Sequence, residues 1–284
     1  MYLVAYGRRG AMKYSFREAI IAIARALLVI LVFLFVPTLV SSVVTSIVSA
    51  LNSGMPKDDL ASLITSLTSP IMAVSYVVAI FVFVIFYKIR KTSLISMSGA
   101  EPTRASFLID GVLLGFGMYG AFQGAILLLT KIIPESWFNL QNSQSSSLLG
   151  GSMAFAIIYT VLIAPVCEET IFRGLVLTIF DGKLPKWLGI LISALVFALI
   201  HLPSPIAFIY TLTLGIYTLT LGVVLGFVRY RTKSLVPCVL AHIIFNATNY
   251  LLFLPLNIGL YVVLALSLPF IIYSVIDIVR KTRG

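Results

Sequence analysis

The chain has 284 residues, 60% of them hydrophobic and 11% charged, with a mean hydropathy of +1.08. An ordinary soluble domain carries about 25% charged residues and has no place to hide so much apolar surface, so disordered, fibrous and cytosolic classes are excluded, and continuous rather than alternating apolar runs argue against an outer-membrane barrel. The net charge of +10 would favour nucleic acid in a soluble protein; in a membrane chain it marks the loops that fix orientation, and no nucleic-acid partner is expected.

The expected fold class is therefore all-α: a polytopic integral membrane protein, a bundle of about eight transmembrane helices. A helix needs about 20 apolar residues to cross the hydrocarbon core. Residues 1–25 read as a cytoplasmic N-terminal arm with an amphipathic lead-in over 14–25, lying at the membrane surface. Residues 26–284 read as one transmembrane domain. Its spans are predicted near 26–50, 70–87, 107–132, 152–179, 187–202, 205–228, 235–253 and 257–278. The polar stretch 134–151 is an outer loop.

Eight spans put both termini on one side. Five Lys and Arg lie in the N-terminal arm (Arg8, Arg9, Lys13, Arg17, Arg25) and four in the second loop (Lys88, Arg90, Lys91, Arg104). Two lie in the fourth loop (Lys183, Lys186), three in the sixth (Arg229, Arg231, Lys233) and three at the C-terminus (Arg280, Lys281, Arg283). The opposite side has Lys57 and Lys131 alone. This asymmetry predicts that both termini are cytoplasmic.

Charges inside a bilayer are costly and mark function by default. Glu168 and Glu169 sit well inside the fourth span, with Arg173 one turn on. The two histidines of the chain, His201 and His242, lie in apolar runs, and Asn246 is one turn beyond His242. Glu169 and Arg173, four apart, share a helix face and can pair; the pair also reads as purely structural. Phe197 lies one turn from His201. Asn246 also reads as interhelical glue. Three helices thus carry polar groups able to meet in one cavity, provided the fifth span is short and ends at His201, ahead of Pro203 and Pro205.

A carboxylate held away from water suits general-base work, and imidazole and amide N–H groups suit stabilisation of an oxyanion. Together these groups can hydrolyse an amide with an activated water. Cys167 is set aside, because successive helical residues point apart. A zinc-dependent version needs only Glu168, His201 and His242 as ligands; with no metal motif present, a cofactor-free site is expected. A third reading is a transporter or immunity-type protein with a buried charge relay. Two glycine patterns, Gly115 to Gly120 and Gly222 with Gly226, are expected to serve close helix packing rather than nucleotide binding.

The segments EETIFRG, FALIH and HIIFN, in this order, resemble the three motifs of the CAAX prenyl endopeptidase family of intramembrane proteases, also called the ABI or CPBP group. The resemblance covers about 152–252. It implies an endopeptidase that removes the terminal aaX tripeptide from prenylated or membrane-associated proteins, working within membrane lipid from a cavity open to the cytosol. It implies Glu168 and His201 as water activators, His242 and Asn246 as oxyanion stabilisers, and Glu169, Arg173 and Phe197 in support.

Overall fold

The computed structural model describes residues 2–6, 11–100, 102–129, 152–202, 208–251 and 257–283. A two-stranded antiparallel ribbon opens the chain, β1 (Tyr2–Tyr6) paired with β2 (Ala11–Ser15) in the register Tyr2 to Ser15 and Tyr6 to Ala11. Everything else of regular structure among the described residues is helical.

The helices are α1 (Phe16–Leu51), α2 (Lys57–Ile89), α3 (Leu94–Ser98), α4 (Ala105–Leu129), α5 (Met153–Phe180), α6 (Lys186–Ile200), α7 (Phe208–Thr232), α8 (Val236–Leu251) and α9 (Asn257–Lys281). Among the described residues, each of the eight predicted spans overlaps one of the helices α1, α2 and α4 to α9. Five of them, α1, α2, α4, α5 and α9, are long and apolar enough to cross a membrane, and α6 and α8 are shorter apolar helices. The molecule is an all-α polytopic membrane bundle. The predicted outer loop 134–151 lies outside the described residues.

Apolar residues face outward as well as inward. Leu28, Leu31 and Phe35 of α1 are each more than 60% exposed, as a lipid-facing surface requires. The lead-in and the first span form a single helix, Phe16–Leu51, with Pro37 inside it.

Glycines set how closely the helices approach. An added Cβ at Gly115 would lie 2.5 Å from the Ala241 carbonyl of α8, and one at Gly120 would lie 2.5 Å from the Val263 carbonyl of α9. At Gly222 it would meet Ala194 of α6 at 2.8 Å. The expected packing role of both glycine patterns is borne out.

Contacts place one set of helix ends together. Gly174 near the end of α5 packs on Ser98 of α3, the Leu235 amide ahead of α8 donates to the Gly99 carbonyl, and Lys183 beyond α5 pairs with Glu18 of α1 at 3.3 Å. Lys281 at the end of α9 pairs with Asp110 at the start of α4 at 3.6 Å. The starts of α1, α4, α6 and α8 and the ends of α5, α7 and α9 therefore share one end of the bundle.

Candidate active site

Helix α5 carries the two glutamates, and its backbone is not uniform. Wide π-type turns occupy Ile158–Ile163 and Thr170–Val176, on either side of the α-helical stretch Ala164–Glu169. The first turn has a local cause. Pro165 has no N–H for the helical ladder, and its ring clashes with the preceding turn. A π bulge in a helix recurs at functional sites.

Glu169 is fully buried and accepts from Arg173 Nη1 at 2.9 Å, as the four-residue spacing predicts. Arg173 is also fully buried, with its guanidinium 4.3 Å above the centre of the Phe197 ring. The same Glu169 oxygen lies 3.0 Å from Nδ1 of His242 on α8. The ion pair thus reaches beyond α5 and fixes the face of an imidazole on another helix.

His201 caps the C-terminus of α6, which ends at Ile200. This is the short fifth span that the prolines predicted. Its Nδ1 lies 2.7 Å from the Phe197 carbonyl, and a carbonyl only accepts, so Nδ1 carries the hydrogen. His242 Nδ1 likewise faces an acceptor. The Nε2 atoms of both rings then turn to Glu168: His201 Nε2 is 3.9 Å from Oε1 and His242 Nε2 is 4.0 Å from Oε2. Glu168 is 6% exposed and His242 4%. These gaps exceed a hydrogen bond and suit a bridging water.

The ring of Phe197 stands at the centre of the cluster. Its centroid is 4.4 Å from that of His201 and 6.1 Å from that of His242. Asn246, one turn beyond His242, donates from Nδ2 to the Thr160 carbonyl at 2.8 Å, in the first wide turn of α5. A primary amide has two N–H groups, so this bond uses one of them. Cys167 points away, with Sγ 3.8 Å from the Tyr76 carbonyl of α2.

Every residue singled out from the sequence lies in this cluster or against it. Two neighbours escaped the sequence reading. Tyr76 of α2 and Tyr159 of α5 lie close enough to Glu168 to feel its charge. The two rings meet edge to face at 5.4 Å. Tyrosines are common in membrane helices, and nothing in the spacing of either one marks it. Only the packing of α2 against α5 does so.

Among the described residues no group of three or more His, Cys, Asp or Glu side chains is close enough to hold a metal ion. Donors sharing a tetrahedral zinc are about 3.3 Å apart for bonds near 2.05 Å. Glu168 stands farther than that from both imidazoles, so the three residues do not fit zinc as they stand.

Residues 150–248 match the family model described as Type II CAAX prenyl endopeptidase Rce1-like, which covers all three motifs. The resemblance read from the motifs is borne out by this match, which supports an intramembrane protease. The chain matches no curated protein and no solved structure.

Proposed function

We propose that the chain is a glutamate-dependent intramembrane endopeptidase of CAAX type, cutting a peptide bond near the C-terminus of prenylated or membrane-associated proteins. One observation carries the reading: a buried carboxylate faces the Nε2 atoms of two imidazoles across gaps of 3.9 and 4.0 Å.

A water in that gap donates one hydrogen to Glu168 and the other to His201 Nε2. Glu168 removes its proton as the water oxygen bonds to the scissile carbonyl carbon. The carbonyl oxygen becomes an oxyanion. In its doubly protonated form His242 donates to it from Nε2, and the second N–H of Asn246 is the other donor. Collapse breaks the C–N bond, and Glu168 returns the proton to the leaving amine. Tyr76, beside Glu168, orients the carboxylate; Glu169 and Arg173 orient His242. Positive residues gathered at one end of the bundle support a cytoplasmic opening with both termini on that side.

The test is turnover of a fluorogenic farnesylated peptide by the purified chain and by Glu168→Gln. The wild type cleaves and the variant does not. Equal turnover by both ends this mechanism. Activity that survives exhaustive chelation excludes zinc, whereas loss on chelation and recovery with added zinc overturns the metal-free version. Ion-coupled flux without cleavage of any peptide marks the transporter reading.

A further inference from the structure

A cavity of about 440 Å³ opens at the shared end of the bundle, where α3, the end of α5 and the end of α7 meet. Ligand pockets run from about 300 to 1,000 Å³. Thr178 on α5 lies ten residues, roughly 15 Å at 1.5 Å per residue, from Glu168, and the fully buried Arg173 and Phe172 fill α5 in between. The cavity is separate from the candidate active site.

Its lining is polar and cationic. Arg229 and Lys233 of the α7 terminus face hydroxyls from Ser96, Thr178 and Tyr230, with Asp181 as the one acid among these groups. No ion pair among the described residues involves Arg229, Lys233 or Asp181. The guanidinium of Arg229 has five donors, and the described residues supply one acceptor, the Ser98 carbonyl at 3.3 Å. Lys186 and Lys233 each hold an ammonium 5.8 Å from the Tyr230 ring centre, which concentrates positive charge at the mouth.

The backbone adds an independent sign. Lys233 has φ +60, the left-handed conformation that glycine or asparagine ordinarily supplies after a helix. A lysine there carries a steric cost, and such outliers point to function. Lys91 has the same conformation (φ +55) but lines no part of this cavity. The surroundings are those of a membrane interface. Trp187, at the start of α6 on the same end, is 65% exposed, and Ile95 of α3 is 61% exposed. Exposed Trp and Tyr beside Lys and Arg form the interfacial belt.

We propose that this cavity binds a phosphate group, supplied by the headgroup of an anionic membrane lipid. Arg229 and Lys233 take the charge, and the hydroxyls of Ser96 and Thr178 complete its hydrogen bonds. The cavity is larger than bare phosphate needs, and its interfacial position puts acyl chains against the exposed apolar side chains. Basic pockets between membrane helices bind headgroups in this way.

The full chain in nanodiscs of phosphatidylcholine with a minority of phosphatidylglycerol tests this, with bound lipid counted by native mass spectrometry. The wild type retains phosphatidylglycerol over phosphatidylcholine. Lys233→Gly retains about tenfold less, the loss expected for one charge-assisted contact, while its melting temperature holds or rises because glycine fits the left-handed backbone. Lys233→Asn, which also tolerates that backbone, repeats the comparison if the glycine variant is unstable. Equal retention of both lipids by the wild type, or undiminished retention by the Lys233 variants, overturns the site. A thermal shift with inorganic phosphate that Lys233→Gly abolishes, without lipid preference, overturns the lipid as its source. Peptide cleavage is not part of the readout, so this test stands or falls apart from the protease reading.

Discussion

At the residue scale the chemistry concentrates on Glu168. Replacing a general base costs about 10²- to 10⁴-fold in rate. Glu168→Gln, nearly the same shape, is expected to lose at least about 10³-fold in peptide turnover while its gel-filtration profile is unchanged. Asn246→Ala is expected to leave more activity, because removing one oxyanion donor costs about 10²- to 10³-fold. Tyr76→Phe removes only a hydroxyl, from a ring that lies beside Glu168 and packs on Tyr159. Its expected signature is a lower kcat with KM within about twofold, as for a group acting through the carboxylate; an unchanged kcat removes Tyr76 from the mechanism. Glu169 and Arg173 divide differently. Breaking a buried ion pair from one side costs about 3–5 kcal/mol, whereas replacing both partners is far milder. Arg173→Met is therefore expected to destabilise strongly, and Glu169→Gln with Arg173→Met to recover much of the melting temperature without recovering activity, since His242 loses its carboxylate.

At the element scale the site depends on where helices stop and how near they come. The α6 helix ends at Ile200, and this stop brings His201 to Glu168. The wide turns of α5 flank the glutamates, and the first of them offers the Thr160 carbonyl to Asn246. Helix α4 holds α8 in place through its glycines, and Gly115 sits against the Ala241 carbonyl, next in sequence to His242. Gly115→Leu cannot be accommodated without moving α8. Overpacking costs about 1–3 kcal/mol, and a displaced His242 adds a loss of turnover. The expected result is a fall in melting temperature together with a kcat reduced more than stability alone explains. The same substitution at Gly54, where an added Cβ meets nothing within 4 Å, is the control and is expected to change neither.

At the scale of the whole molecule the bundle orders its ends by charge. Both native cysteines are buried, so an introduced thiol reports its own position. Lys183→Cys is expected to react with a membrane-impermeant maleimide only from the cytoplasmic face of intact cells' membranes, and Lys57→Cys only from the other face. The reverse pattern inverts the topology and moves the proposed active-site opening away from the cytosol.

Much of this was readable in the residues themselves. Continuous apolar runs must be helices in a bilayer, because each backbone group then finds its partner within its own segment. The rarity of charge in those runs isolated Glu168, Glu169, Arg173, His201 and His242 as residues with a costly reason to be there, and the spacing of four predicted the Glu169–Arg173 pair. Local sequence carries such information because helix periodicity is local. It carries none about which nitrogen of an imidazole faces which carboxylate, about the wide turns of α5, or about a tyrosine from α2 arriving at Glu168. Those follow from how separate helices approach one another, which is decided by close packing summed over the whole bundle. The ring orientations of His201 and His242, the partner of Asn246 and the cationic cavity at the end of α7 belong to the tertiary structure alone.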